Sequence, residues 1–147
     1  MALIADDSRD RAEQLLVATE RLTALIAEET RLIEARLPPL TGEAADEKNR
    51  LANAYRLELA RIKQEPALIE SAPPALLADL RARTETLHQA LAAHETALGA
   101  VKLISEGLVH AMAEEVARQR GGARSYGADG VIEAATGPAP TILDRSA

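Results

Sequence analysis

A heptad repeat in the second half of the chain constrains the fold more than any other feature. Positions a and d of five consecutive heptads carry mainly aliphatic residues, a pattern that predicts an α-helix whose apolar seam packs against other helices. We expect this helix to span about 74–120, because Pro74 is tolerated in a first helical turn and the pattern stops at Gly121-Gly122. The repeat consists of Leu77, Leu80, Thr84, Leu87, Leu91, His94, Leu98, Val101, Ser105, Leu108 and Met112, with Val116 one residue past the next expected position.

Two shorter amphipathic patterns precede the repeat. The first predicts a helix over about 8–37, with Ser8 as its N-cap and Pro38-Pro39 at its end, since proline disfavours helical geometry in the residue before it. The second predicts a helix over about 43–65 that ends before Pro66, and PALIESAPP then reads as a connector with one helical turn. The apolar positions are Leu15, Leu22, Ile26, Ile33 and Leu37 in the first helix and Leu51, Tyr55, Leu59 and Ile62 in the second.

The composition agrees with a helical fold. The 147 residues include two tyrosines and no Phe or Trp, so the core must consist of Leu, Ile, Val and Ala, which suits helix faces better than a sheet sandwich. We therefore predict an all-α protein: an elongated antiparallel three-helix bundle or coiled coil over 1–120, with a long third helix. A flexible tail containing Gly and Pro is expected over 121–147.

Charge and hydropathy exclude two classes of partner. The formal net charge is −6, and no run of Lys and Arg is interleaved with aromatic residues, so we expect no nucleic-acid partner. The N-terminal MALIADDSRDR lacks a basic leader, and no window approaches 18 continuous apolar residues. We therefore expect a cytoplasmic protein without direct membrane insertion.

No group of side chains predicts catalysis, a metal or a cofactor. The chain has no Cys, and His88, His94 and His110 share no i, i+3 or i, i+4 step with one another. Glu28-Glu29 and Glu114-Glu115 are adjacent on helices, so their carboxylates diverge by about 100 degrees and are expected on solvated faces. The glycines of GGARSYGADG lack the Lys-Ser/Thr of a phosphate-binding loop. The expectation is a protein that is not an enzyme.

The lengths of the predicted helices suggest an uncovered surface. At 1.5 Å per residue the third helix spans about 70 Å, against about 45 and 35 Å for the others, so roughly its last fifteen residues lack partners within the bundle. An exposed apolar stripe there would mark a binding surface. Two alternatives stay open: the helix breaks at Gly99 or Gly107 and folds back, or the stripe pairs with a second copy. The stripe comprises Val101, Ile104, Leu108, Met112 and Val116.

Several segments resemble one family. LTALIAEETRLIEARL, EKNRLANAY and SYGADG, in this order around a long last helix, are similar to the FlgN type of flagellar export chaperone over residues 15–130. The chain departs from that pattern at Pro38-Pro39, in the PALIESAPP connector and in the terminal ATGPAPTILDRSA. The matching positions are Leu22, Leu25, Glu28 and Glu29 in the first helix, Lys48 and Leu51 in the second, and Tyr126 with Gly130 near the end.

The resemblance implies a function and two sites. Proteins of that family are not enzymes; they bind the C-terminal helical segments of hook-filament junction proteins and deliver them to the export gate. The last helix would hold the client, through the stripe of Val101, Ile104, Leu108, Met112 and Val116. The region of Tyr126 and Gly130 would dock on the cytoplasmic domain of the gate.

Alternatives remain for both features. Tyr126 is either a binding anchor, as exposed aromatic residues often are, or an ordinary residue that lies in the tail or packs against the bundle. A coiled-coil scaffold protein that self-associates through the third helix would also explain the stripe. A third possibility is a helix that lies on a membrane surface. The negative charges of Glu114-Glu115 argue against binding to anionic lipid.

Overall fold

The computed structural model describes residues 3–129, and side chains for residues 3–122. Within this range the chain forms four α-helices and no β-strand: α1 (Ser8–Glu34), α2 (Gly42–Gln64), α3 (Ala67–Glu70) and α4 (Pro74–Asp129). Three are long and α3 is a single turn, as expected for the connector. The predicted all-α class with a long last major helix is confirmed.

The start of α1 is fixed by an aspartate. Asp7 has an extended backbone and is the N-cap, and its carboxylate accepts a hydrogen bond from the backbone N–H of Asp10 at 2.8 Å. The expected N-cap, Ser8, is instead the first helical residue. Its hydroxyl accepts a hydrogen bond from Ser71 at 2.8 Å, so it joins the start of α1 to the connector before α4.

The end of α1 comes at Glu34, three residues before the expected end at Leu37. Arg36 takes a left-handed backbone conformation with φ of 58°, which terminates the helix before the prolines are reached. Its N–H donates to the carbonyl oxygen of Ile33 at 3.0 Å, and the N–H of Leu37 donates to that of Leu32 at 2.9 Å. These two bonds form a Schellman motif, in which the left-handed position is usually glycine.

Polar contacts between side chains show the relative directions of the helices. Polar pairs join α1 to α4 at two heights, Glu20 to Arg83 at 3.0 Å and Thr30 to His94 at 3.2 Å, and Ser8 at the start of α1 pairs with Ser71 of the connector just before α4. Because both residue numbers rise together, α1 and α4 run parallel. Between α1 and α2 the numbers run in opposite senses, from Arg11 with Glu58 to Arg21 with Glu47. The predicted antiparallel arrangement of successive long helices is therefore confirmed.

The core lies along α1, which faces both other long helices. Leu22, Ile26 and Leu87 form a buried cluster, against which Leu51 and Tyr55 pack from α2. Full burial of one such aliphatic side chain contributes about 1.5–3 kcal/mol. The buried apolar residues are Ala12, Leu15, Ala18, Leu22, Leu25 and Ile26 of α1, Ala54 of α2, Ala72 of the connector, and Leu87 and Ala97 of α4.

The helix α4 is continuous for 56 residues. It passes Gly99 and Gly107 without a break, so the alternative in which the helix folds back at one of them is wrong. It also continues through Gly121-Gly122 to Asp129, past the expected end at Arg120. A glycine costs about 1 kcal/mol relative to alanine in a helix but keeps its N–H, so it does not by itself end one. Residues 130–147 of the expected tail lie outside the described range.

The chain divides into two compact units, Met1–Lys102 and Leu103–Ala147. The first contains α1, α2, α3 and the part of α4 that packs on them. The described part of the second is the remainder of α4.

Candidate functional site

The predicted stripe on α4 is exposed. Val101, Ile104, Leu108, Met112 and Val116 have relative exposures between 42% and 61%. Every residue from 101 to 122 is exposed. The expected exposure is thus confirmed, whereas a client bound to these residues stays a prediction.

The exposed apolar face is wider than a simple coiled-coil seam. With 3.6 residues per turn, Val109 lies beside Met112 and Val116 on the same side of the helix, and Ile104 flanks Leu108 on the other. A seam between two helices needs only positions a and d, whereas this face also uses e and g. Leu103, which is 71% exposed, lies on the opposite side. We name the face formed by Val101, Ile104, Leu108, Val109, Met112 and Val116 the α4 face.

Polar side chains near the α4 face pair along the helix. His110 Nε2 lies 3.3 Å from Glu114, and Arg118 lies 2.6 Å from Glu115. Glu114 and Glu115 therefore point to different partners, as expected for adjacent carboxylates. These pairs are exposed and within one helix, so they leave the apolar face uncovered.

The other adjacent carboxylates also diverge. Glu28 forms an ion pair with Arg31 at 2.7 Å on the surface of α1. Glu29 instead faces α2 and accepts a hydrogen bond from Lys48, with only 12% of its side chain exposed. The expectation of a solvated Glu29 was wrong, because the residue lies at the interface of three helices.

A polar cluster at this interface joins α1, α2 and α4. His94 Nδ1 lies 3.2 Å from the Thr30 hydroxyl, and His94 Nε2 lies 3.7 Å from the Glu29 carboxylate that Lys48 also contacts. Thr30 donates its only hydroxyl hydrogen to the carbonyl oxygen of Ile26 at 2.8 Å, so His94 Nδ1 is the donor toward Thr30. His94 thus joins α4 to α1 at a defined register.

A groove opens beside this cluster, within the first unit. Its volume is about 580 Å³. We name it the elbow groove, because its wall includes the bend that follows α1. The apolar lining residues are Ile33, Leu37, Pro39, Leu98 and Val101, and the polar ones are Glu29, Arg36, Lys48 and His94.

Sequence reasoning did not single out the elbow groove. Its residues come from the end of α1, the bend, the start of α2 and the middle of α4, so no local motif marks it. Arg36 carried no signal either, because α1 was expected to continue to Leu37. Its left-handed conformation is visible only in the structure.

A second groove lies between α2 and α4, with a volume of about 380 Å³. Its apolar lining includes Leu59, Ile62, Leu77 and Leu80. The ring of Tyr55 also lines it, and the Tyr55 hydroxyl is buried without a hydrogen-bond partner among the described residues.

The proposed gate-docking residues are only partly described. Tyr126 lies in the last turns of α4 rather than in a non-helical tail, which corrects the expected start of the tail at 121. The side chain of Tyr126 and the whole of Gly130 lie outside the described range.

Positions that carried the family resemblance meet at the α1–α2 interface. Glu29 pairs with Lys48, and Leu51 packs against the cluster that contains Leu22. Leu25 is buried, whereas Glu28 lies on the surface. Leu22, Glu29, Lys48 and Leu51 therefore join the two helices.

Two further findings concern the described residues alone. No helix within residues 3–129 combines the length and the apolar content needed to cross a membrane. No three side chains of His, Asp or Glu come together there in an arrangement suited to a metal ion.

These features define a class: all-α bundle proteins whose long last helix carries an uncovered apolar face. Comparison with known proteins gives the family. The chain is 42% identical over 133 residues to the flagellar basal-body protein FlbY of Caulobacter vibrioides, covering 90% of this chain and 89% of that protein. The chain belongs to the family of FlbY. No protein-family model matches the chain, and no solved structure matches it.

Proposed function

We propose that the protein is an export chaperone of the flagellar type III system. It binds the C-terminal helical segment of hook-filament junction proteins and delivers them to the export gate. Membership in the family of a flagellar basal-body protein supports a flagellar role. The similarity of residues 15–130 to the FlgN type supports the narrower role of a chaperone.

The observation that carries the proposal is the exposed α4 face. Burial of each large apolar side chain is worth about 1.5–3 kcal/mol, so a partner that covers six of them gains a substantial driving force. An amphipathic client helix would place its own apolar residues on this face, as helices do when they bind in grooves. No catalytic step is required, and the proposal includes no enzyme activity and no cofactor. The chaperone would act in the cytoplasm, where its clients are synthesised.

Gate docking belongs to the same proposal. Tyr126 and Gly130 follow the α4 face in sequence, so client and gate would use different residues. Tyr126→Ala should weaken binding to the cytoplasmic domain of the gate and leave client affinity unchanged. If wild type and Tyr126→Ala bind the gate domain with equal affinity, this part of the proposal is wrong.

Client binding is tested by calorimetry with C-terminal fragments of hook-filament junction proteins from the same source organism. Wild-type protein should bind with micromolar or tighter affinity, and a Leu108→Asp, Met112→Asp variant should not. A matched control is Val17→Asp, Leu103→Asp, because both residues are exposed apolar side chains outside the α4 face. Helicity should be the same in all three proteins, and loss of binding in both variants would argue against a specific face.

Self-association is the second candidate function. The width of the α4 face favours it, since positions a, d, e and g together suit contact with more than one helix. Light scattering separates the two functions. A dimer that persists on dilution and is broken by Leu108→Asp, Met112→Asp would support a scaffold protein that holds no client.

A further inference from the structure

The backbone at Arg36 is unusual for its residue type. Arg36 occupies the left-handed position of the Schellman motif that ends α1, with φ of 58°. Glycine is preferred there because a Cβ atom is strained in this conformation. At the other described position with positive φ the chain does have glycine, since Gly42 takes φ of 59° at the start of α2. An arginine in such a strained conformation indicates that its side chain has a role that glycine would not fill.

The guanidinium of Arg36 is placed to bind an anion. Arg36 lines the elbow groove, and no hydrogen bond or ion pair engages its guanidinium among residues 3–122. The one carboxylate of the groove lining, that of Glu29, already accepts a hydrogen bond from Lys48. The lining therefore has one cation in excess, in a chain whose formal net charge is −6.

Five of the other eight residues that line the groove are apolar. Leu37 and Leu98 are about half exposed, and Val101 also lines the groove. An occupant that matches this lining carries apolar side chains beside a single carboxylate. Arg is suited to such a group, because its planar guanidinium bonds both oxygens of a carboxylate at once.

We propose that Arg36 binds an Asp or Glu side chain of the client segment, whose apolar neighbours fill the elbow groove. This inference rests on the proposed function, which supplies the client. It adds a charge contact, and a requirement for an acidic position in the client, to a site that otherwise selects only for apolar surface. The other occupants, a second copy of the chain or an unrelated apolar ligand, are outcomes of the test.

Three variants separate the charge of Arg36 from its backbone. Arg36→Lys keeps the charge, Arg36→Gln removes the charge and keeps the strain, and Arg36→Gly removes both. Arg56→Gln is the matched control, since Arg56 is an exposed residue of α2 that lines neither groove described above. Each protein is titrated with the C-terminal client fragment by calorimetry at low and at physiological salt, and its stability is measured by urea unfolding.

The expected result is a weakening of client binding by at least about fivefold at low salt in both Arg36→Gln and Arg36→Gly. Arg36→Gly should nevertheless unfold at a higher urea concentration than wild type, so that a folding defect does not explain its loss of binding. Arg36→Lys should retain most of the affinity, and Arg56→Gln should retain all of it. With the acidic residues of the client changed to their amides, wild type and Arg36→Gln should bind equally.

The opposite results identify which idea fails. If Leu108→Asp, Met112→Asp abolishes binding while all Arg36 variants bind as wild type, the chaperone proposal stands and this inference is overturned. Failure of wild type to bind any fragment would overturn both. A lower stability of Arg36→Gly, a loss in Arg36→Gln that persists with the neutralised client, or a change of oligomeric state in Arg36→Gln would each overturn the inference alone.

Discussion

Glu58 of α2 is completely buried, and its carboxylate accepts a hydrogen bond from Arg11, whose side chain is only 8% exposed on α1. A second guanidinium, that of Arg61, lies 3.4 Å from the other carboxylate oxygen. The charges of Arg11 and Glu58 would each be costly inside the bundle without the other, whereas the side chain of Arg61 is 47% exposed. The contact defines the antiparallel register of α1 and α2 at the end of the bundle opposite to the Glu29–Lys48 pair.

Removing one member of the buried pair should be strongly destabilising. Glu58→Gln leaves Arg11 as an uncompensated buried cation, and we expect a loss of about 3–5 kcal/mol in the free energy of unfolding, measured by urea denaturation. The double variant Arg11→Met, Glu58→Leu should recover most of it, because neither charge then remains. As a control, Glu13→Gln breaks the exposed Arg9–Glu13 pair and should change stability by less than about 1 kcal/mol. A loss in Glu58→Gln as small as in the control would show that the pair is hydrated.

Tyr55 carries a buried hydroxyl without a hydrogen-bond partner among the described residues. Removing this buried polar group should therefore not lower stability, in contrast to Glu58→Gln. An unsatisfied buried hydroxyl is destabilising by about 1–3 kcal/mol. Tyr55→Phe keeps the ring that packs on the core cluster and removes the hydroxyl, so stability should stay equal or rise. Tyr55→Leu, which shrinks the ring, should lower the urea midpoint. A marked loss in Tyr55→Phe would indicate that an ordered water satisfies the hydroxyl.

The heptad repeat predicted α4 correctly and its seam in part, since Leu87 at position d is buried in the core. Positions a and d were expected to face the bundle, yet Leu91 and Leu98 at position a are 44% and 49% exposed. Ala97 at position g is buried instead, and Ala90 packs against the core cluster. Small residues at position g allow α1 to approach α4 closely. A pattern based on hydrophobicity misses these positions, because it ranks leucine above alanine.

Other features of the site depended on distant residues. The exposure of the α4 face was predicted from the unequal lengths of the helices, and local sequence patterns predict helix lengths well. The Glu29, Lys48 and His94 cluster and the Arg11–Glu58 pair require three helices to be placed together, and nothing in the local sequence marks a charged residue as buried. Arg36 was missed because Pro38-Pro39 was a sufficient reason for α1 to end nearby.

The glycines of α4 provide a test of helix continuity. A Cβ atom added at Gly99 or Gly107 meets nothing within 4 Å, so Gly99→Ala and Gly107→Ala should only raise helix propensity. We expect each to increase helicity by circular dichroism, and Gly99→Ala to stabilise the fold by about 0.5–1 kcal/mol. Gly42→Ala is the contrasting variant, because φ of 59° strains any Cβ there, and it should be destabilising. Loss of stability or helicity in Gly99→Ala would contradict an unbroken helix.

Acid should weaken the contact between α1 and α2 at Arg21. The guanidinium of Arg21 donates two hydrogen bonds of 2.7 Å to the carboxylate of Glu47. The bond from Arg21 is the main cause that lowers the pKa of Glu47 below its ordinary value of 4.5, and the charges of Arg21 and Arg50 add to it. In the same way the bond from Arg31 lowers the pKa of Glu28.

The sign follows from linkage. Because the pKa of Glu47 is lower in the folded than in the unfolded protein, protons bind the unfolded state more tightly. The stabilising contribution is therefore complete above pH 4.5 and is lost as the pH falls through the folded pKa. Arg21→Gln should raise the pKa of Glu47 toward 4.5 in an NMR titration of its carboxyl carbon.

The same variant should change how stability depends on pH. The difference in urea midpoint between wild type and Arg21→Gln should be present at pH 7 and shrink below pH 4.5, since protonated Glu47 no longer attracts the guanidinium. High salt should reduce the difference at pH 7, because both side chains are partly exposed. Arg56→Gln, with the same change of net charge, controls for the overall charge of the protein. If both variants follow the same pH curve, the effect comes from net charge rather than from the contact between Arg21 and Glu47.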